Sequence, residues 1–260
     1  MIDVLIGQGV LAAKGFRAGT AACGIKRSGN TDVVLIAADQ ALTGLAMVGT
    51  LNVVCAPSVT RNRAEASGPN AASIRGVVIN SGCANVATGQ QGIDANSEMA
   101  ERAAQLCGGG VLTASTGVIG VQLPMDKLCK GIADAWSSSG TSREHDQAAA
   151  EGIMTTDLVR KSIAVKVKSD AGVFHIGGIS KGSGMIAPNM ATMLAFITTD
   201  ADISSELLQP LLKDIVDRTF NAITVDGDTS TSDQCIILAS GLSGVCISDT
   251  SSPLYQEFSD

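Results

Sequence analysis

Apolar residues fall in short continuous runs at 33–38, 45–55, 76–80, 111–114, 163–167, 173–179, 193–198 and 234–239. Several are unbroken by polar residues, which predicts strands covered on both faces, because a strand with one face in water alternates. Between the runs, apolar positions recur every three to four residues. At 98–107 Met99, Ala103 and Leu106 share one stripe, and 124–136 opens on Pro124, where a helix tolerates a proline. At 207–220 Leu208, Leu211, Leu212, Ile215 and Val216 repeat at helical spacing, with Pro210 marking a first turn or a kink. Helices alternating with buried strands make this an α/β layered protein. Two polar stretches, 67–72 and 137–142, read as loops too short to link domains, and no repeat of solenoid period is visible. Ser252 and Pro253 look like an N-cap and first turn, yet the sequence ends within about two turns, so this reading expects an incomplete C-terminus.

Composition refines the picture. The chain has 260 residues, 45% hydrophobic, with 29 glycines and only 3% aromatics, so its core is built from Ala, Val, Ile and Leu. The net charge is −7 and no stretch gathers Lys and Arg, which argues against a nucleic-acid partner. The seven cysteines are scattered and never spaced as CxxC, so neither a zinc cage nor a disulfide framework is indicated and no metal is expected. The N-terminal segment MIDVLIGQGVLAAKGF offers no membrane span and no secretory signal. The expectation is a protein of the cytoplasm, or of an organelle matrix if a transit peptide is missing.

Four segments could carry chemistry. GSGMIAPNMAT at 182–192 is a Gly/Pro/Asn loop running into the apolar MLAFIT, which sets Thr192 at the mouth of a strand. If the backbone is cut between Ala191 and Thr192, the new α-amine, with a pKa near about 8, can activate the threonine's own hydroxyl. The plain alternative is that Thr192 only starts a strand. STGVIG at 115–120 follows a strand-like run. Its Thr116 hydroxyl and Gly117 N–H suit an oxyanion, though a tight turn looks the same. Lys181, in GGISKGSG, is either a carboxylate-binding lysine or a solvated loop residue, and the segment fits no phosphate loop. DGDTSTSD at 226–233 lacks the glycine and glutamate spacing of a calcium loop and reads as a hydrogen-bonded turn after a strand at 222–225, near the active site. Of the two histidines, His145 sits in a solvated helix start, REHDQ, and His175 in an apolar strand as a structural residue, so a histidine-based triad is not favoured.

Taken together, these segments resemble the ornithine acetyltransferase family. The resemblance is carried by KGF (14–16), INSGCANVATG (79–89), STGVIG (115–120), IMTTD (153–157), GGISKGSGMIAPNMATMLAFITTDA (177–201) and RTFNAITVDGDTSTSD (218–233). It implies a helix–sheet–sheet–helix sandwich like that of N-terminal nucleophile enzymes. It also implies a precursor cut between Ala191 and Thr192, giving an alpha-chain region at 1–191 and the start of a beta-chain region at 192–260. Thr192 then carries acetyl from N2-acetylornithine to glutamate, with Thr116 and Gly117 as the oxyanion pair and Thr155, Lys181 and Thr192 binding substrate. No cofactor is needed beyond acetyl-CoA, a second acetyl donor in some members, and two chains of each kind assemble into a heterotetramer. Family members continue well past position 260. A self-cleaving amidase or aminopeptidase of the same fold, and an inert truncated binding protein, are the competing readings. On the leading one, the complete protein yields two fragments, the second starting at Thr192, and Thr192→Ala stays whole. Intact mass checks this, and normal processing of the variant excludes Thr192 as the nucleophile.

Overall fold

The computed structural model describes residues 1–185 and 193–260. Its strands are β1 (Ile2–Val4), β2 (Phe16–Ala21), β3 (Val33–Ala38), β4 (Gly44–Gly49), β5 (Ile74–Cys83), β6 (Gly110–Val118), β7 (Lys161–Ser169), β8 (Gly172–Lys181), β9 (Leu194–Thr199), β10 (Asp202–Ile203), β11 (Gln234–Ala239) and β12 (Cys246–Ile247). The helices are α1 (Pro57–Ser67), α2 (Gly89–Cys107), α3 (Met125–Ser137), α4 (Arg143–Gly152), α5 (Ser205–Arg218) and α6 (Pro253–Ser259). One sheet has the order β2-β3-β5-β6 and a larger one β1-β7-β8-β9-β11-β4, with a small parallel β10-β12 pair beside them.

The two main sheets face each other across a core. Val34 and Ile36 of β3 and Ile79 of β5 meet Leu194 and Phe196 of β9 and Ile236 and Leu238 of β11. The alternate side chains of the same strands point outward into two further apolar layers. Val33 and Leu35 pack with Met99 of α2 and Leu128 and Ile132 of α3, while Cys235 and Ile237 pack with Leu208 and Leu212 of α5. Each run is therefore apolar on both faces, which explains why it shows no alternation. The layers are helix, sheet, sheet, helix, as the resemblance implied. Packing between layers is close because small residues line it: a methyl at Gly19 would sit 1.8 Å from the Ala135 carbonyl oxygen.

The structure corrects several boundaries. The run at 45–55 is a strand only as far as Gly49, and Leu51 and Val53 beyond it are exposed. No strand forms at 222–225; a single 3-10 turn, Phe220–Ala222, precedes loop. Pro210 lies inside α5, which runs on through it. The terminal helix is as expected, with the Ser252 hydroxyl accepting the Tyr255 N–H at 3.1 Å.

One polar cluster crosses the apolar core. The Asn62 amide of α1 donates to the Thr113 carbonyl at 2.7 Å and accepts the Thr113 N–H at 3.0 Å, acting as an extra strand partner for β6. The same amide donates to Gln234 Oε1 at 2.6 Å, tying β6 to the start of β11. All three residues are fully buried. Asn62→Ala strips buried partners from both strands and should cost about 2–4 kcal/mol. Urea unfolding of variant and parent measures it, and a loss under about 1 kcal/mol would mean water replaces the amide.

Candidate active site

Two structural halves meet at the site, and the first is the end of the β5-β6 pair. These strands are parallel until a register shift at Gly82 and Cys83, where Thr116 pairs with both Ser81 and Cys83. The irregularity is held by Asn80, whose amide donates to the Cys83 carbonyl at 2.8 Å and whose oxygen accepts the Ser115 hydroxyl at 2.6 Å. Gly117 follows with φ +132°, and a Cβ there would lie 2.3 Å from the Gly82 carbonyl carbon. Only glycine fits, in conformation and in space.

Opposite stands the loop after β2. Asp32 accepts the N–H groups of Cys23, Ile25 and Lys26, at 2.8, 2.6 and 3.1 Å, and so folds that loop around one carboxylate. The Lys26 ammonium bonds the Thr31 and Gly152 carbonyls. Between these pieces lies a cavity of about 910 Å³ whose wall includes Lys26, Gly82, Thr116, Gly117, Thr155 and Gly184–Met185. The suggested oxyanion pair and Thr155 are thus brought together, beside the backbone that leads toward position 192.

The second half is the rim of the larger sheet. Antiparallel pairing sets Lys181, at the end of β8, opposite Leu194 at the start of β9, and parallel pairing sets Leu194 beside Gln234 at the start of β11. Three aspartates grip the backbone around this rim. Asp157 accepts the Gly182 N–H at 2.8 Å, Asp226 the Met185 N–H at 2.6 Å and Asp233 the Met193 N–H at 2.8 Å. The Gln234 N–H in turn donates to the Met193 carbonyl. Residues 186–192 run between the last two grips, so Ala191 and Thr192 lie outside the described residues.

Lys181 is not a solvated loop lysine. It is 1% exposed, and burial pulls its ammonium down to about 8 even though Asp157 and Asp233 favour the charge. It stands outside the wall of the large cavity. Asp233 is buried, and burial pushes its carboxyl up to about 7 against the opposing pull of Ser230, the Met193 N–H and Lys181. Burial also acts to raise Asp157, but the Lys161 ammonium and the Gly182 N–H outweigh it and hold that carboxyl below its ordinary range.

Sequence reasoning missed Asp32, Asp157 and Asp233 as individuals. It did place the 226–233 turn near the site. Both histidines are structural: His175 Nδ1 lies 2.9 Å from Asp200, and His145, at the start of α4, lies between Ser142 and the Ser138 carbonyl. The seven cysteines are free. Among the described residues no group of three or more His, Cys, Asp or Glu is placed to hold a metal, and no helix is long and apolar enough to cross a membrane.

Residues 17–260 match the model of the ArgJ family. The chain is 48% identical over 246 residues to the arginine biosynthesis bifunctional protein ArgJ of Gloeobacter violaceus, an alignment covering 91% of this chain but 58% of that protein. It therefore spans little more than half the length of this relative. Its structure is similar to that of the ornithine acetyltransferase of Mycobacterium tuberculosis solved with ornithine, with a TM-score of 0.64 and 35% identity over 72% of this chain and 98% of that one. The L-aminopeptidase D-Ala-esterase/amidase of Ochrobactrum anthropi, described as a variant of the Ntn-hydrolase fold, shares the fold at a TM-score of 0.57 and 12% identity, over 91% of this chain and 75% of that one.

The depressed ammonium of Lys181 has a measurable consequence. Between about pH 8 and about pH 10.4 the unfolded chain binds a proton here that the folded chain has lost, so stability rises with pH across that window. Lys181→Met removes the effect. The melting temperature of the parent relative to the variant should therefore climb from pH 8 to pH 10, and a constant difference would mean that Lys181 titrates as it does in water.

Proposed function

The chain belongs to the ArgJ family, and we propose that it carries the nucleophile half of a glutamate N-acetyltransferase of arginine biosynthesis. In this reading the backbone is cut between Ala191 and Thr192, and 1–191 and 192–260 become an alpha chain and the start of a beta chain. The free α-amine of Thr192 takes the proton of its own hydroxyl, and Oγ attacks the acetyl carbonyl of N2-acetylornithine. The Thr116 hydroxyl and the Gly117 N–H receive the negative charge that develops on the carbonyl oxygen. Ornithine leaves with the proton, and acetyl remains as an ester on Thr192. The amine of glutamate then attacks the ester, its C–O bond breaks, and the proton the amine loses returns to Thr192 Oγ as acetyl leaves on glutamate. Thr155 contacts substrate from the cavity wall, and Lys181, buried outside that wall, keeps only the substrate role that the family resemblance gives it. In members that also use it, acetyl-CoA enters as a further donor. Two alpha and two beta chains form the working particle in the cytoplasm, or in an organelle matrix.

One observation carries this reading. The cavity wall joins the glycine-forced Thr116–Gly117 turn to Gly184–Met185, and Asp226 and Asp233 hold both ends of the stretch that contains Thr192. The suggested oxyanion pair and a cavity of about 910 Å³ thus lie beside Gly184–Met185, from which the chain runs toward Thr192. Labelled acetyl supplied as N2-acetylornithine should remain on the fragment beginning at Thr192 and pass to glutamate. Hydrolysis without acceptance by glutamate would point to an amidase instead, and an uncut chain that takes no label would point to a binding protein. Thr116→Ala should lower kcat by about 10²–10³-fold with little change in ornithine affinity, the loss typical of one oxyanion donor. Steady-state kinetics on the complete enzyme decides, and an unaltered kcat removes Thr116 from the mechanism.

A further inference from the structure

The wall of the large cavity runs against the charge of the chain. The molecule carries −7 overall, yet the described residues lining this cavity include Lys26 and Arg27 and neither Asp nor Glu. Residues 186–192, IAPNMAT, bring no ionisable side chain of their own. Lys181 stands outside the wall, so it does not supply the positive charge there. The two carboxylates that act on Lys26 are committed elsewhere. Asp32 gives its oxygens to the Cys23, Ile25 and Lys26 N–H groups, and Asp157 takes the Lys161 ammonium and the Gly182 N–H. Behind Lys26 a second cavity of about 390 Å³ has Glu151 and Asp157 in its wall, and these pair with Arg160 and Lys161.

The backbone that carries the two cations is fixed. Asp32 anchors it up to the Lys26 N–H, and the Gly29 N–H closes a turn onto the Lys26 carbonyl at 3.1 Å, with Gly29 at φ +76°. Arg27 is thus a central residue of a tight turn with an anchored start. The Lys26 ammonium donates to the Thr31 and Gly152 carbonyls at 2.6 and 3.1 Å, which uses two of its three N–H bonds. Burial pulls that ammonium below its ordinary range, although Asp32 and Asp157 favour the charge. Arg27 is exposed and, among the described residues, makes no hydrogen bond or ion pair. A half-buried ammonium held by neutral carbonyls, next to a guanidinium without a partner, on a wall without carboxylates, suits an anion.

The reaction proposed above gives that charge a use, and the inference rests on that reading. N2-acetylornithine and glutamate each carry a carboxylate beside the reacting nitrogen. They differ at the far end, which is an ammonium in ornithine and a carboxylate in glutamate. Once Thr192 carries acetyl, either free amine can attack the ester. Attack by ornithine reverses the first half of the reaction, and attack by glutamate completes the transfer. We propose that Lys26 and Arg27 are specificity residues that make the cavity choose its acceptor by side-chain charge, favouring glutamate over the ornithine just released. Arg27 supplies the discriminating contact, because a free guanidinium fork matches a carboxylate and repels an ammonium.

The test measures binding of L-glutamate, L-glutamine, L-ornithine and N2-acetyl-L-ornithine to the purified 260-residue chain by isothermal titration calorimetry. Glutamine has the shape of glutamate without its side-chain charge. Lys26 also braces two carbonyls, so the variants are made at Arg27, whose side chain bonds nothing in the described fold: Arg27→Gln, Arg27→Lys and Arg27→Glu. The parent should bind glutamate about three- to tenfold tighter than glutamine at low salt. The gap should close as salt rises from about 0.02 M to about 0.5 M, since an exposed guanidinium is screened. Arg27→Gln should remove most of the gap, Arg27→Lys should keep part of it, and Arg27→Glu should place glutamate below glutamine. A merely structural role for Arg27 weakens all four ligands together and leaves the glutamate-to-glutamine ratio as it was; that result overturns the proposal. So does a parent that binds N2-acetylornithine but treats glutamate and glutamine alike, which leaves the function proposed above standing. A parent that binds none of the four overturns both.

Discussion

Everything at the site follows from where β9 pairs. It lies antiparallel to β8 and parallel to β11, so the last residue of β8 and the first residues of β9 and β11 reach one rim of one sheet. That single pairing choice collects Lys181, Met193 and Asp233, which are far apart in the chain or turned away from one another along it. The facing sheet presents its own rim to the same side, where β5 and β6 end in the Gly82–Gly117 irregularity. Apolar packing between the sheets fixes their separation, and the Asn62–Gln234 contact fixes their register. Side chains at the rim can then be specified to within a hydrogen-bond length, because the strands below them cannot slide.

At that rim and elsewhere the chain repeatedly uses one device, a carboxylate turned inward onto backbone N–H groups. Asp32, Asp146, Asp157, Asp200 and Asp233 each do this, with side chains removed from solvent. Burying a carboxylate is costly unless its oxygens are bonded, and oriented N–H groups are good partners because they need no countercharge. Loops with so little apolar content of their own could not otherwise be held still. Lys181 is the exception among cations, buried where nearby carboxylates only partly offset its desolvation.

The layered architecture was legible in the sequence because each central strand is apolar on both faces and α5 carries a clear stripe. The elements that escaped detection are those whose structure depends on neighbours. The strand β2, FRAGTA, is built of small residues and owes its conformation to β3 and to the close approach of α3 at Gly19. Helix α1, PSVTRNRAEAS, has almost no stripe, since it fits between sheet edges with Val59 and Asn62 rather than with an apolar face. At the site, Thr116, Gly117 and Thr155 could be named from motifs, and the structure sets them around one cavity. Lys181 could be named but not its burial, because GGISKGSG reads as an open loop until β8 is known to extend to its end. The separate tasks of Asp226 and Asp233 were invisible, since a turn rich in Asp and Ser looks alike whether it faces water or backbone, and Asp32 and Asp157 stand in segments with no local signal of theirs.

The place of β9 and β11 within the sheet matters beyond the site. Both are flanked by strands from earlier in the chain, β8 on one side and β4 on the other. A cut between residues 191 and 192, as proposed above, would fall in the connection between β8 and β9 and outside every described ladder, so the two pieces would stay clasped through the middle of the sheet. Their reunion after denaturation is another matter. What was a loop closure within one chain becomes an encounter between two, governed by concentration rather than by tether length. A molecule that folds first and is nicked afterwards thereby passes a ratchet: it holds a shape that its separated pieces, at low concentration, have little means to find again.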